Sequence, residues 1–97
     1  INDKEYINKK IKEFILLKNL SIKEIQYKLL QKGLKKSDIE DCISENIEKL
    51  EEYEQKSAQN LVLKKSNIME VEEIQQFLLK KGYKLDSVKN AIKEIQT

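Results

Sequence analysis

Lysines are the residues of this chain most able to act on a partner. Lys32, Lys35 and Lys36, then Lys64 and Lys65, then Lys80, Lys81 and Lys84 gather where helices are expected to end. An ammonium group holds phosphate or carboxylate as a point charge. All 19 basic residues are lysine and none is arginine, so bidentate reading of guanine edges is not expected. Catalysis finds no comparable material. Histidine is absent, and the single cysteine, Cys42, has no imidazole to activate it, so it is read as a small buried hydrophobe. Metal-ligand Cys/His spacing and phosphate-cradling glycine loops are also missing. Tyr6 and Tyr83 could stack on nucleobases, but buried rings with wet hydroxyls are the simpler expectation. Neither an enzyme nor a cofactor is expected.

A plain cause also exists for the lysine clusters. Cations near a helix C-terminus offset its macrodipole by about 0.3–1 kcal/mol each. The acidic run Glu45 to Glu54, with five glutamates and one lysine, separates opposite charges along the chain. That segregation fits an elongated partner surface or a solvated face.

Six short helices are expected to position these groups. The first spans about Asp3 to Lys18, with Tyr6, Ile7, Ile11, Phe14 and Ile15 on one face. Ser21 to Glu24 has capping-box spacing and opens a second helix, which buries Ile22, Ile25, Leu29 and Leu30 and stops at Gly33. A second box, Ser37 to Glu40, opens a third helix with Ile39, Ile43, Ile47 and Leu50 in register. The fourth runs from about Glu51 to Lys65 and buries Tyr53 and, more weakly, Ala58, Leu61 and Val62. With no breaker between Glu40 and Lys65, the third and fourth are expected to be nearly continuous. The fifth, about Glu70 to Lys81, shows Val71, Ile74, Phe77 and Leu78 and stops at Gly82. The sixth, about Asp86 to Gln96, offers Val88, Ala91, Ile92 and Ile95.

The chain repeats itself. Residues Ile22 to Ile43 align without a gap on Val71 to Ile92, 49 positions later, with nine identities in 22. Such a period marks one supersecondary unit used twice. The expected fold is therefore all-α: two tandem three-helix repeats, residues 1–50 and 51–97, forming an elongated, curved helical array. In it Lys32/Lys35 and Lys81/Lys84 fall on equivalent turns and line one basic edge. Helices of about 11 residues are not stable alone, so the units must stack, and a third copy before Ile1 is expected.

Composition agrees. Proline is absent, glycine occurs twice, and no apolar run reaches the roughly 20 residues that span a bilayer. A lone cysteine suits a reducing compartment, and a cytoplasmic, soluble protein is expected. The net charge of +2 is small for a dedicated nucleic-acid binder.

With the helices placed, the chain resembles the RecX family, bacterial regulators of the RecA recombinase. "NDKEYINKKI" (Asn2 to Ile11) is similar to the Asp-x-x-Tyr opening of that family's middle module. "EIQYKLLQKGLKKSDIEDCI" (Glu24 to Ile43) resembles its Leu-x-x-Lys-Gly helix pair, and "AQNLVLKK" (Ala58 to Lys65) the Lys-Lys helix end that begins its last module. "EEIQQFLLKKGYKLDSVKNAI" (Glu72 to Ile92) is similar to its closing repeat. Two features depart from the family: members are typically longer, with a further three-helix module upstream of the part resembled here, and many are rich in arginine, whereas this chain has only lysine. The resemblance implies a molecule lying along the RecA–DNA filament, where it hinders strand exchange and ATP turnover in homologous recombination and DNA repair. Weak direct binding to DNA would accompany this; a membrane or a small-molecule substrate is not expected. Two rival readings remain at this point, a non-specific nucleic-acid-binding module and a pair of three-helix scaffold domains of the ubiquitin-binding kind.

Overall fold

The computed structural model describes residues 3–17 and 19–96. These form six α-helices and no strand: α1 (Asp3–Leu17), α2 (Ile22–Gln31), α3 (Lys36–Glu45), α4 (Ile47–Lys65), α5 (Val71–Lys81) and α6 (Leu85–Gln96). Asn2 and Lys18, named above in the opening motif and as the end of the first helix, lie outside the described residues.

Local chemistry accounts for most of the boundaries. At α2 the capping box forms as expected: Ser21 Oγ accepts from the Glu24 N–H at 3.1 Å, and Glu24 Oε1 accepts from the Ser21 N–H at 2.9 Å. At the equivalent place before α5, the Glu70 N–H donates to Glu73 Oε1 at 3.2 Å. Both glycines take the left-handed conformation that ends a helix, with φ of +82° at Gly33 and +100° at Gly82. After Gly82, the Tyr83 N–H turns back to the Leu78 carbonyl at 3.1 Å.

Two boundaries differ from expectation. The Ser37–Glu40 box does not form. The extended residue that opens α3 is Lys35, and Ser37 already lies inside the first turn, beyond the capping position. The break between the third and fourth helices falls at Asn46, so Ile47 and Leu50 belong to α4. Asn46 adopts φ −111° and ψ 16°, and its side-chain amide donates to the Cys42 carbonyl at 2.8 Å and to Asn8 Oδ1 at 3.0 Å. A local side-chain bond of this kind competes with helical hydrogen bonding, so asparagine interrupts a helix without glycine or proline.

Two hydrophobic clusters fill the interior. One joins Ile7, Ile11, Ile25, Leu29, Ile39, Cys42 and Ile43 to Leu50 and Tyr53 of α4. The other joins Ala58 and Val62 of α4 to Ile74, Leu78, Tyr83, Val88, Ala91 and Ile92. α4 thus supplies side chains to both. Cys42 is fully buried among aliphatic groups, and burial pushes its thiol pKa up. The body measures 47 × 22 × 20 Å, more than twice as long as wide, an outline compatible with two stacked three-helix units.

Candidate functional site

The eight lysines do not share one environment. Lys32, Lys35 and Lys36 stand exposed at the Gly33 turn and have no ion-pair partner among the described residues. Lys64 and Lys80 are also exposed. The others are committed within the molecule. Lys65 and Lys81 sit over the Phe77 ring, with Nζ 5.2 Å and 5.8 Å from its centroid. Lys81 Nζ donates to Glu24 Oε2 at 3.0 Å, and Lys84 Nζ to Glu51 Oε2 at 3.1 Å. Repeat-equivalent lysines therefore differ: Lys81 and Lys84 have carboxylates of α2 and α4 to answer them, and Lys32 and Lys35 do not.

Around Lys81 the structure gathers residues that the lysine clusters did not reveal. Lys23, Tyr27, Lys28 and Gln31 of α2 line a shallow cleft of about 300 Å³ with it. Tyr27 is 62% exposed and faces solvent next to lysines; of the two tyrosines expected to be buried, Tyr83 is buried and Tyr6 is not. Tyr6, 40% exposed, lies under the Lys10 ammonium at 5.7 Å. A helical wheel of α2 would have flagged Tyr27, which lies off the Ile22–Ile25–Leu29 stripe.

Between the clusters runs a seam of buried polar groups. Glu54 is 1% exposed, yet its carboxylate is fully engaged: Oε2 accepts from the Ile22 N–H at 3.2 Å and Oε1 from the Lys84 N–H at 2.8 Å. Those donors open α2 and precede α6, so two helix N-termini point their unpaired N–H groups at one anion. Ser57 Oγ donates to the Leu20 carbonyl at 3.3 Å and shares a hydrogen bond with the Tyr83 hydroxyl. The Tyr53 hydroxyl accepts from the Leu20 N–H at 2.7 Å, and Ser21 Oγ donates to the Lys81 carbonyl at 2.8 Å. No buried side-chain nitrogen or oxygen among the described residues is left without a partner. Burial raises the Tyr83 phenol pKa well above its ordinary value and raises that of Tyr53 as well.

Gly82 lies at the tightest point of this seam. A Cβ built there would stand 2.9 Å from Lys23 Cβ and 3.1 Å from Ser21 Oγ. At Gly33 it would meet nothing within 4 Å. Helix termination thus accounts for Gly33 alone; Gly82 also admits the first turn of α2.

Chemically, the surface offers charge and shape. No group of three or more Cys, Asp or Glu side chains among the described residues could hold a metal ion, and no described helix is long and apolar enough to cross a membrane. The chain is similar to two proteins named Regulatory protein RecX. One, from Clostridium botulinum strain Eklund 17B, is 38% identical over 103 residues, and the other, from strain Alaska E43, is 37% identical over 101. Each match takes in 97% of this chain and 46% of the relative, so the chain spans about half the length of these curated relatives. Neither a family model nor a solved structure matches the chain at a comparable level.

Proposed function

Because the chain belongs to the RecX family, we propose that it binds the RecA–DNA filament in the cytoplasm and slows its recombinase and ATPase activity. It would do so through two three-helix modules, residues 1–50 and 51–97, that present lysines along one elongated body. The likeness to regulatory proteins over nearly the whole chain carries this reading. The 47 Å length and the lysine-bearing turns support it, since a polyanionic, repetitive partner lets several weak contacts add through effective concentration. The partner-binding set is Lys32, Lys35, Lys36, Lys64, Lys65, Lys80, Lys81 and Lys84, of which Lys32, Lys35 and Lys36 have no ion pair among the described residues to give up.

RecA-dependent ATP hydrolysis on single-stranded DNA tests this directly. Slowing at or below one regulator per RecA is expected, and an unaltered rate removes the proposal. In the same assay K32E/K35E/K36E should weaken filament binding at least about tenfold with helicity intact, since each reversal puts a like charge against the filament. Unchanged binding by that variant overturns the lysine assignment.

A second reading, direct non-specific binding to nucleic acid, is favoured by one observation: Tyr27 is solvent-facing between Lys23 and Lys28. Affinity for single-stranded DNA without RecA should then fall steeply with salt, by about 0.7 unit of log–log slope per phosphate neutralised. A flat salt dependence, or no binding at low salt, removes it.

A further inference from the structure

We infer that Glu54 is a positioning residue for the partner surface: it pins the lysine-bearing turn 81–84 of the second cluster to the start of α2 in the first, so that both clusters move as one body. This rests on the proposed function for its purpose and on the seam alone for its mechanism.

The carboxylate is buried at the middle of α4 and accepts two backbone N–H groups that belong to different clusters, Ile22 in one and Lys84 in the other. A buried anion is costly unless fully hydrogen-bonded, so any tilt between the clusters that opens either bond strands the charge. That makes the pin stiff where two apolar faces alone would slide. The Ser21–Lys81 carbonyl bond and the Glu24–Lys81 ion pair attach to the same turn from the same side. Consequently the backbone carrying Lys81 and Lys84 takes its position from residues about 30 to 60 places earlier in the chain. The turn carrying Lys32 and Lys35 makes no such polar bond across the clusters among the described residues: Leu34 packs on the first cluster, and the space beside Gly33 is open. Lysine placement is therefore set by the seam on one turn and by its own helix pair on the other.

The inter-cluster distance distribution provides the test, measured by pulsed electron spin resonance without any partner. Spin labels go on cysteines substituted at Glu40 and Lys89, both exposed, with Cys42→Ala as background because alanine already fills the repeat-equivalent position 91. The parent should give one narrow distribution. E54A should widen it at least about twofold with unchanged helical circular dichroism, and E54Q, whose amide oxygen still accepts one N–H, should fall between. Hydrogen exchange at the Ile22 and Lys84 amides should quicken about tenfold in E54A, while the Ile11 amide stays protected. A width in E54A equal to the parent's overturns the inference, and so does loss of helicity, which would mean that Glu54 holds the clusters themselves together. In filament binding, E54A should lose about tenfold in affinity. A widened distribution with unchanged filament affinity overturns the link to the partner, whereas a parent that does not bind filaments at all overturns the proposed function and leaves the distance result standing.

Discussion

Replacing Gly33 and Gly82 by alanine, one at a time, separates the two duties a glycine can have. Both residues have positive φ, a region that costs an L side chain about 1–2 kcal/mol. G33A carries that cost alone, because nothing lies within 4 Å of the new methyl group. In G82A the methyl would collide with Lys23 Cβ at 2.9 Å, an atom fixed to the first turn of α2 that cannot swing aside. The turn and α2 must part, which strains the Ser21 Oγ bond to the Lys81 carbonyl and the Lys84 N–H bond to Glu54, both 2.8 Å. A neutral hydrogen bond nets about 1 kcal/mol and one to a charged group about 1.5–3. G82A is thus expected to cost about 3.5–6 kcal/mol against about 1–2 for G33A. Proteins of this size hold about 5–15 kcal/mol, so G82A brings the fold near its limit. Urea unfolding followed by circular dichroism reads the difference. With a slope of about 1–3 kcal/mol per molar urea, G33A lowers the midpoint by about 1 M and G82A by severalfold more. Equal midpoints for the two variants would refute the close approach of Gly82 to α2.

The tyrosines and the cysteine carry further expectations. Burial holds the Tyr53 and Tyr83 phenols above their ordinary pKa of 10.0, so the unfolded chain releases those protons first as pH rises. Stability should therefore be steady below about pH 10 and fall above it. In an ultraviolet titration, two of the four tyrosines should ionise only as helicity is lost; reversible ionisation of all four with the helical signal intact would contradict this. Cys42 is fully buried and its thiol is pushed up, so a disulfide reagent should modify the native chain at least about a hundredfold more slowly than the urea-unfolded chain. Similar rates for the two states would place the thiol at the surface.

Features that follow from local periodicity could be read from the sequence. The helices, the two glycine stops, the Ser21 capping box and the burial of Cys42 depend on neighbours within one or two turns. The seam depends on atoms far apart in the chain, and its acceptors serve backbone N–H groups that leave no side-chain signature. Glu54 was hidden further by lying in a run of five glutamates that reads as a solvated face. A signal did exist: on α4 the stripe Leu50, Tyr53, Ala58 and Val62 is continuous only if positions 54 and 57 lie on it, which marks Glu54 and Ser57 as interior polar groups. Lys81 and Lys84 show the same difficulty, since their carboxylate partners lie 57 and 33 positions away. Asn46 was missed for a local reason, because an asparagine that bonds its own preceding turn is a weaker punctuation mark than glycine.

The division of α4 between the two clusters bears on how the protein is made. Synthesis proceeds from the N-terminus, and folding of the emerging chain can begin before its end is formed. The first cluster cannot close when its own three helices have emerged, because it lacks Leu50 and Tyr53, and the Leu20 amide still awaits the Tyr53 hydroxyl 33 residues on. Once the rest of α4 has followed them, the nascent rod offers Ala58 and Val62 as a bare apolar strip for the segment still on the ribosome. Completion of the earlier half thus prepares the template on which the later half condenses.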